Sequence, residues 1–184
     1  MWNIDTSLEA INAIQIGIFP KREDYTLEYF YPKIYIFGGN SKEIQYYSLD
    51  NDNDKRTLIN LPEEIGYSHS VRIGEIVYLV GAKSKNLYKY ALNENKLEAE
   101  NYQFLSKGQN KFIFEFKGGE LIITSNQVVI NKEVLVKTEG NFSGLRCAGK
   151  GKVINSYLYF VTYNDKFESN VWRLCLISFK IIKF

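Results

Sequence analysis

An apolar strand that ends in glycine recurs along this chain at a nearly constant interval, and that recurrence constrains the fold more than any single residue. Residues 33–37 (Lys-Ile-Tyr-Ile-Phe) run into Gly38 and Gly39, and a following strand at 46–49 leaves through Asp50. Residues 75–80 run into Gly81 in the same way, and 87–92 leave through Asn93. Tyr35 and Tyr78 are 43 residues apart, Gly74 and Gly119 are 45 apart, and Pro20 and Pro62 are 42 apart. A period of this length in a chain that reads as strand throughout indicates an all-β propeller of four-stranded antiparallel blades, one blade per repeat.

The turn signals divide the chain into a half blade over 1–20 and four blades over 21–62, 63–105, 106–143 and 144–184, within one domain that is small or partial as a propeller. The first blade has strands at 25–30, 33–37, 44–49 and 56–61, and the second at 69–73, 75–80, 86–92 and 96–102. The third follows at 111–117, 120–124, 127–130 and 133–137, and the fourth at 153–154, 157–163, 171–177 and 179–184. Short connections rich in Asn, Gly and Lys suit tight hairpins. Residues 2–5 align with 47–50, and 13–19 take the place of a fourth strand, so the chain begins inside a blade. The alternative there is a short helix over 7–15, because Leu8, Ile11 and Ile14 fall near helical spacing behind a Thr6 or Ser7 cap.

The apolar content of 45% over 184 residues, with 15% aromatic, is ample for a packed interior. Basic residues number 23 and acidic ones 21, interspersed along the chain, a balance that argues against nucleic acid or an anionic membrane as the main partner. The opening residues lack a basic and apolar leader, and no apolar run reaches the length of a membrane span. The expectation is a cytoplasmic protein, free or bound to the cytoskeleton or another complex, with Cys147 and Cys175 as buried free thiols. The sequon at Asn141 carries no weight without secretion.

At the double glycine the chain resembles the Kelch-repeat family, whose repeat has an apolar strand ending in Gly-Gly, then a strand bearing Tyr and a polar exit, then an aromatic and a Pro. Residues 34–39 match the first element and 47–50 the second. The resemblance makes Gly38, Gly39, Gly81, Tyr35, Tyr47, Tyr78 and Tyr88 the residues that hold the repeat, and it is strongest over 20–102. The later repeats depart from it: Gly81-Ala82, Thr124-Ser125 and Thr162-Tyr163 stand where Gly-Gly belongs, and the fourth-strand Trp is missing from 56–61. A propeller of WD type has a similar period, but its Trp-Asp and Gly-His elements are lacking.

Three segments invite a chemical reading. Residues 144–150 (Gly-Leu-Arg-Cys-Ala-Gly-Lys) satisfy seven positions of a phosphate-binding P-loop, but Gly151 replaces the hydroxyl residue and strand rather than helix follows. Residues 50–54 alternate Asp and Asn like a calcium loop, but Lys55 and Leu61 occupy the positions of the turn glycine and the bidentate Glu. His69 is the only histidine, which removes any multi-histidine metal site. No cofactor or metal is therefore expected.

What remains is a surface of loops on a rigid scaffold. Arg22, Arg72, Lys83 and Lys85 are its candidate partner contacts. The reading is a non-enzymatic protein-interaction module, a scaffold or structural subunit of a larger assembly. One alternative is an enzyme or sugar-binding propeller in which His69 and Glu28 or Glu115 converge in the central channel. Another is the substrate adaptor of a ubiquitin ligase whose remaining module is on another chain or missing.

Overall fold

The computed structural model describes residues 2–5, 12–15, 23–50, 55–102, 105–125, 127–137, 142 and 144–184. The strands are β1 (Trp2–Asp5), β2 (Asn12–Gln15), β3 (Tyr25–Phe30), β4 (Lys33–Gly38), β5 (Glu43–Ser48), β6 (Lys55–Asn60), β7 (His69–Ile73), β8 (Ile76–Val80), β9 (Asn86–Ala91) and β10 (Lys96–Asn101). They continue with β11 (Lys111–Phe116), β12 (Gly119–Thr124), β13 (Gln127–Ile130), β14 (Glu133–Lys137), β15 (Arg146–Cys147), β16 (Lys152–Ile154), β17 (Tyr157–Tyr163), β18 (Ser169–Cys175) and β19 (Ile181–Lys183). No helix occurs among the described residues.

Consecutive strands pair antiparallel into four small sheets, β3 to β6, β7 to β10, β11 to β14 and β15 to β19, arranged as a four-bladed β-propeller. The first strands face one another about the axis: β3 packs against β7, and β7 against β11. The fourth blade departs from the plan, because its inner strand is broken. β15 and β16 both pair with β17, and residues 148–151 bulge between them. Residues 12–15, which the helical alternative would have wound, are extended: β1 pairs with β2 from Trp2↔Gln15 to Asp5↔Asn12, because alternation there outweighs the weak helical spacing.

Among the described residues three apolar seams join the blades in sequence order. Tyr35, Phe37 and Tyr46 of the first blade meet Val77, Leu79, Tyr88 and Tyr90 of the second. Val71, Val80 and Leu87 of the second meet Ile113, Ile122 and Val129 of the third. Phe112, Phe114 and Ile123 of the third meet Leu158, Phe160 and Trp172 of the fourth. Period-2 alternation sends successive side chains to opposite faces of a sheet, so an internal blade needs apolar residues on both. The outermost strand of the second blade is polar, with Lys96 and Glu98 exposed on β10.

The double glycine has a steric cause. Gly38 and Gly39 both have positive φ (67° and 77°), and a Cβ on Gly39 would lie 2.1 Å from the carbonyl oxygen of Glu23. Gly81 lacks positive φ but is equally confined, 2.4 Å from the Ile65 carbonyl oxygen. A second device is Lys111, fully buried at the start of β11. Its Nζ donates towards the carbonyl oxygens of Gly81, Ser84, Ser106 and Gln109 at 2.7–2.9 Å, tying the second blade to the third.

Candidate functional site

Between the first and fourth blades the seam is polar, and among the described residues no apolar cluster joins them. Arg146 on β15 forms ion pairs with Asp24 and Asp165, and its guanidinium lies 4.6 Å from the centre of the Tyr67 ring. Lys150, in the bulge, forms an ion pair with Glu28 on β3. Beside these pairs lies a cavity of about 390 Å³, lined by Asp24, Tyr25, Thr26, Leu27, Ser68, His69, Ser70, Cys147, Gly149, Lys150 and Tyr163.

Glu28 sits behind this lining with its side chain fully buried. Its Oε1 accepts from the Ser70 hydroxyl at 2.7 Å, and with that proton committed the Thr26 hydroxyl donates to Ser70 at 2.6 Å. A buried carboxylate is stable only when paired and hydrogen-bonded, and Ser70 and Lys150 meet both needs.

His69 is at the channel, where the enzymatic alternative requires it, but both ring nitrogens are occupied. Nδ1 accepts the backbone N–H of Ile113 at 2.9 Å, which places the proton on Nε2, and Nε2 donates to the Gly149 carbonyl oxygen at 2.8 Å. Burial pulls its pKa down to about 4, so the ring is neutral. In this arrangement it has no free lone pair with which to take a proton. Glu115 is exposed on β11 and does not join the cavity. Cys147 lines the cavity as a thiol, because burial pushes its pKa up to about 12. Both cysteines are free but half-buried rather than buried, since the short β15 and the end of β18 leave them beside turns.

The surface candidates scatter. Lys83 and Lys85 are exposed after β8, and Lys83 pairs with Glu64 at 3.4 Å. Arg72 donates to the Gly74 carbonyl oxygen at 3.0 Å and lies over the Phe30 ring. Arg22 falls outside the described residues. Tyr35 and Tyr88 are buried, and Tyr88 donates to Glu63 at 2.9 Å, whereas Tyr47 and Tyr78 are half-buried. Residues 144–150 form β15 and the bulge instead of opening a helix, and their Arg146 and Lys150 supply both ion pairs of the polar seam.

The outward face of the fourth blade is a second site that sequence reasoning missed. Leu158, Phe160, Trp172 and Leu174 point into the third seam. Tyr157, Tyr159, Val161, Val171 and Arg173 alternate with them and face the other way, half-buried or exposed. Val171 is 43% exposed and Phe184 65%. Arg173 lies between the rings of Tyr157 (4.7 Å) and Phe184 (5.1 Å), and its Nε is buried with no hydrogen-bond partner among the described residues. The alternation over 157–163 was the available signal.

No family model matches this chain, and no curated protein does. Solved structures do. The structure of YjhT superimposes with a TM-score of 0.62 at 12% identity, covering 92% of this chain and 68% of that one. The extracellular domain of the hybrid two-component system BT4673 from B. thetaiotaomicron gives 0.58 at 13% identity, covering 92% of this chain and 23% of that one. Kuenenia stuttgartiensis hydrazine synthase gives 0.52 at 10%, covering 82% and 45%. The likeness is one of fold. This chain spans about two thirds of the first of these structures and less than half of each of the other two.

Proposed function

We propose that this chain is a non-enzymatic protein-interaction module, a Kelch-like structural subunit of a larger cytoplasmic assembly. The double glycine at Gly38 and Gly39 supports the Kelch-like reading, and the outward face of the fourth blade supports the interaction. In the first three blades the corresponding face is covered by the next sheet, whereas here Val171, Ile182 and Phe184 are open around Arg173. Apolar residues about an arginine are the composition of an interaction hot spot. The guanidinium of Arg173 between Tyr157 and Phe184 specifies the partner further: a protein with an apolar contacting face and a carboxylate beside it.

The test is affinity purification of the tagged chain from its own cells, with Val171→Lys and Arg173→Leu beside Ile76→Lys, an equally apolar exposed position on another blade. A stoichiometric partner is expected with the parent and the Ile76 variant, and it should be lost with the other two. A chain that elutes alone as a monomer, or that loses its partner equally with all three variants, overturns the reading.

A further inference from the structure

We propose that the cavity between the first and fourth blades is a receptor for a primary alkylammonium group, and that Lys150 occupies it as a tethered surrogate. Three features of the geometry carry this. The Glu28 carboxylate is fully buried beside an open cavity of about 390 Å³. Such a carboxylate requires a cation. The cation that meets this need belongs to neither neighbouring strand. It sits at the end of a lysine that is 52% exposed, in the bulge between β15 and β16, flanked by Gly149 and Gly151 with φ of 80° and 66°. Its partner, in contrast, is fixed by the Thr26 and Ser70 hydroxyls.

The walls select the same chemistry. Tyr25 and Tyr163 line the cavity, and aromatic rings in a wall favour a cation, while Asp24 in the same lining is paired with Arg146. His69 is neutral and contributes no repulsion. Neither an anion nor a purely apolar group could take over from Lys150 as the cation that Glu28 needs. An incoming ammonium replaces Lys150 on Glu28 in a one-for-one exchange, and the released lysine moves into water, which its half-exposed stem already touches. The ammonium acceptor, Glu28, is on the first blade, whereas Val171, Arg173 and Phe184 belong to the fourth, so either proposal can fail without the other.

The experiment titrates the purified chain, at low salt, with Nα-acetyl-lysine methylamide and separately with putrescine, read by calorimetry and by the ammonium NMR signal of Lys150. Lys150→Ala removes the internal competitor and is expected to bind at least one probe about tenfold more tightly than the parent, as loss of a tethered rival at millimolar effective concentration implies. Lys150→Ala combined with Glu28→Gln should abolish that gain. Binding of the lysine amide identifies a polypeptide side chain as the source, and binding of putrescine alone identifies a free amine. If Lys150→Ala does not fold, displacement of the Lys150 signal in the parent by either probe gives the same answer. No binding of either probe, or a Lys150→Ala affinity that Glu28→Gln leaves unchanged, overturns the proposal.

Discussion

His69 on the second blade donates from Nε2 to the carbonyl oxygen of Gly149 on the fourth, 2.8 Å away, while its Nδ1 accepts from Ile113 on the third. One neutral imidazole thus ties three blades at the axis. The bond from Ile113 depends on Nδ1 staying unprotonated.

That dependence gives a pH profile with a definite sign. The folded-state pKa of His69 is lowered from 6.5 to about 4, so below 6.5 the unfolded chain binds the proton that the native ring refuses. The contribution is fully present above pH 6.5 and is lost as pH falls towards 4, for a total of roughly 3 kcal/mol at 1.36 kcal/mol per unit. Urea denaturation between pH 4 and 8 should show this loss, with a shallower slope for His69→Gln. An identical slope in that variant would assign the effect to other groups.

Lys111 is a structural cation. Burial lowers its pKa to about 8, still high enough for it to be charged at neutral pH, where the ammonium is shared among four carbonyl oxygens. Lys111→Met keeps the volume and strands those acceptors, at a cost of roughly 2–4 kcal/mol. A midpoint of denaturation within error of the parent would contradict this.

Two glycines separate steric from conformational cost. Gly39 and Gly118 have nearly equal φ, 77° and 76°, but a Cβ meets Glu23 backbone at Gly39 and nothing within 4 Å at Gly118. Gly118→Ala should cost about 1 kcal/mol from φ alone. Gly39→Ala should cost at least about 2 kcal/mol more, because backbone must move. Thermal unfolding of the pair measures the difference.

Adjacent residues on β17 test the two faces of the fourth blade. Phe160 packs against Phe112, Phe114 and Trp172, and Phe160→Ala is expected to destabilise by about 3–5 kcal/mol. Val161 is half-buried on the outward face, so Val161→Ala should cost only about 1 kcal/mol in the isolated chain. A larger loss at Val161 would mean that this face is covered within the chain itself.

Much of the architecture was legible in the sequence. The spacings of Tyr35 to Tyr78 and Gly74 to Gly119 gave the period, and the apolar runs and turn signals gave the strands of the first three blades to within a residue or two, whereas in the fourth β15 was missed and β18 was placed two residues late. These signals are local or repeat along the chain. The cavity was not legible, because its decisive pair, Glu28 and Lys150, is separated by 122 residues and belongs to no repeated pattern. Lys150 was in view within residues 144–150, but as part of a glycine-lysine motif that suggested phosphate instead of a carboxylate partner. The burial of Lys111 had no signal at all, since a lysine opening a strand ordinarily points to water.

Among the described residues each apolar seam joins blades that are neighbours in sequence, whereas the junction of the first blade with the fourth is made by ion pairs. Its Arg146 and Lys150 contacts are charge pairs with Asp24 and Glu28 and belong to no apolar cluster. A ring fastened this way has a clasp: salt and pH act on that one junction, while the remaining seams answer to the hydrophobic effect.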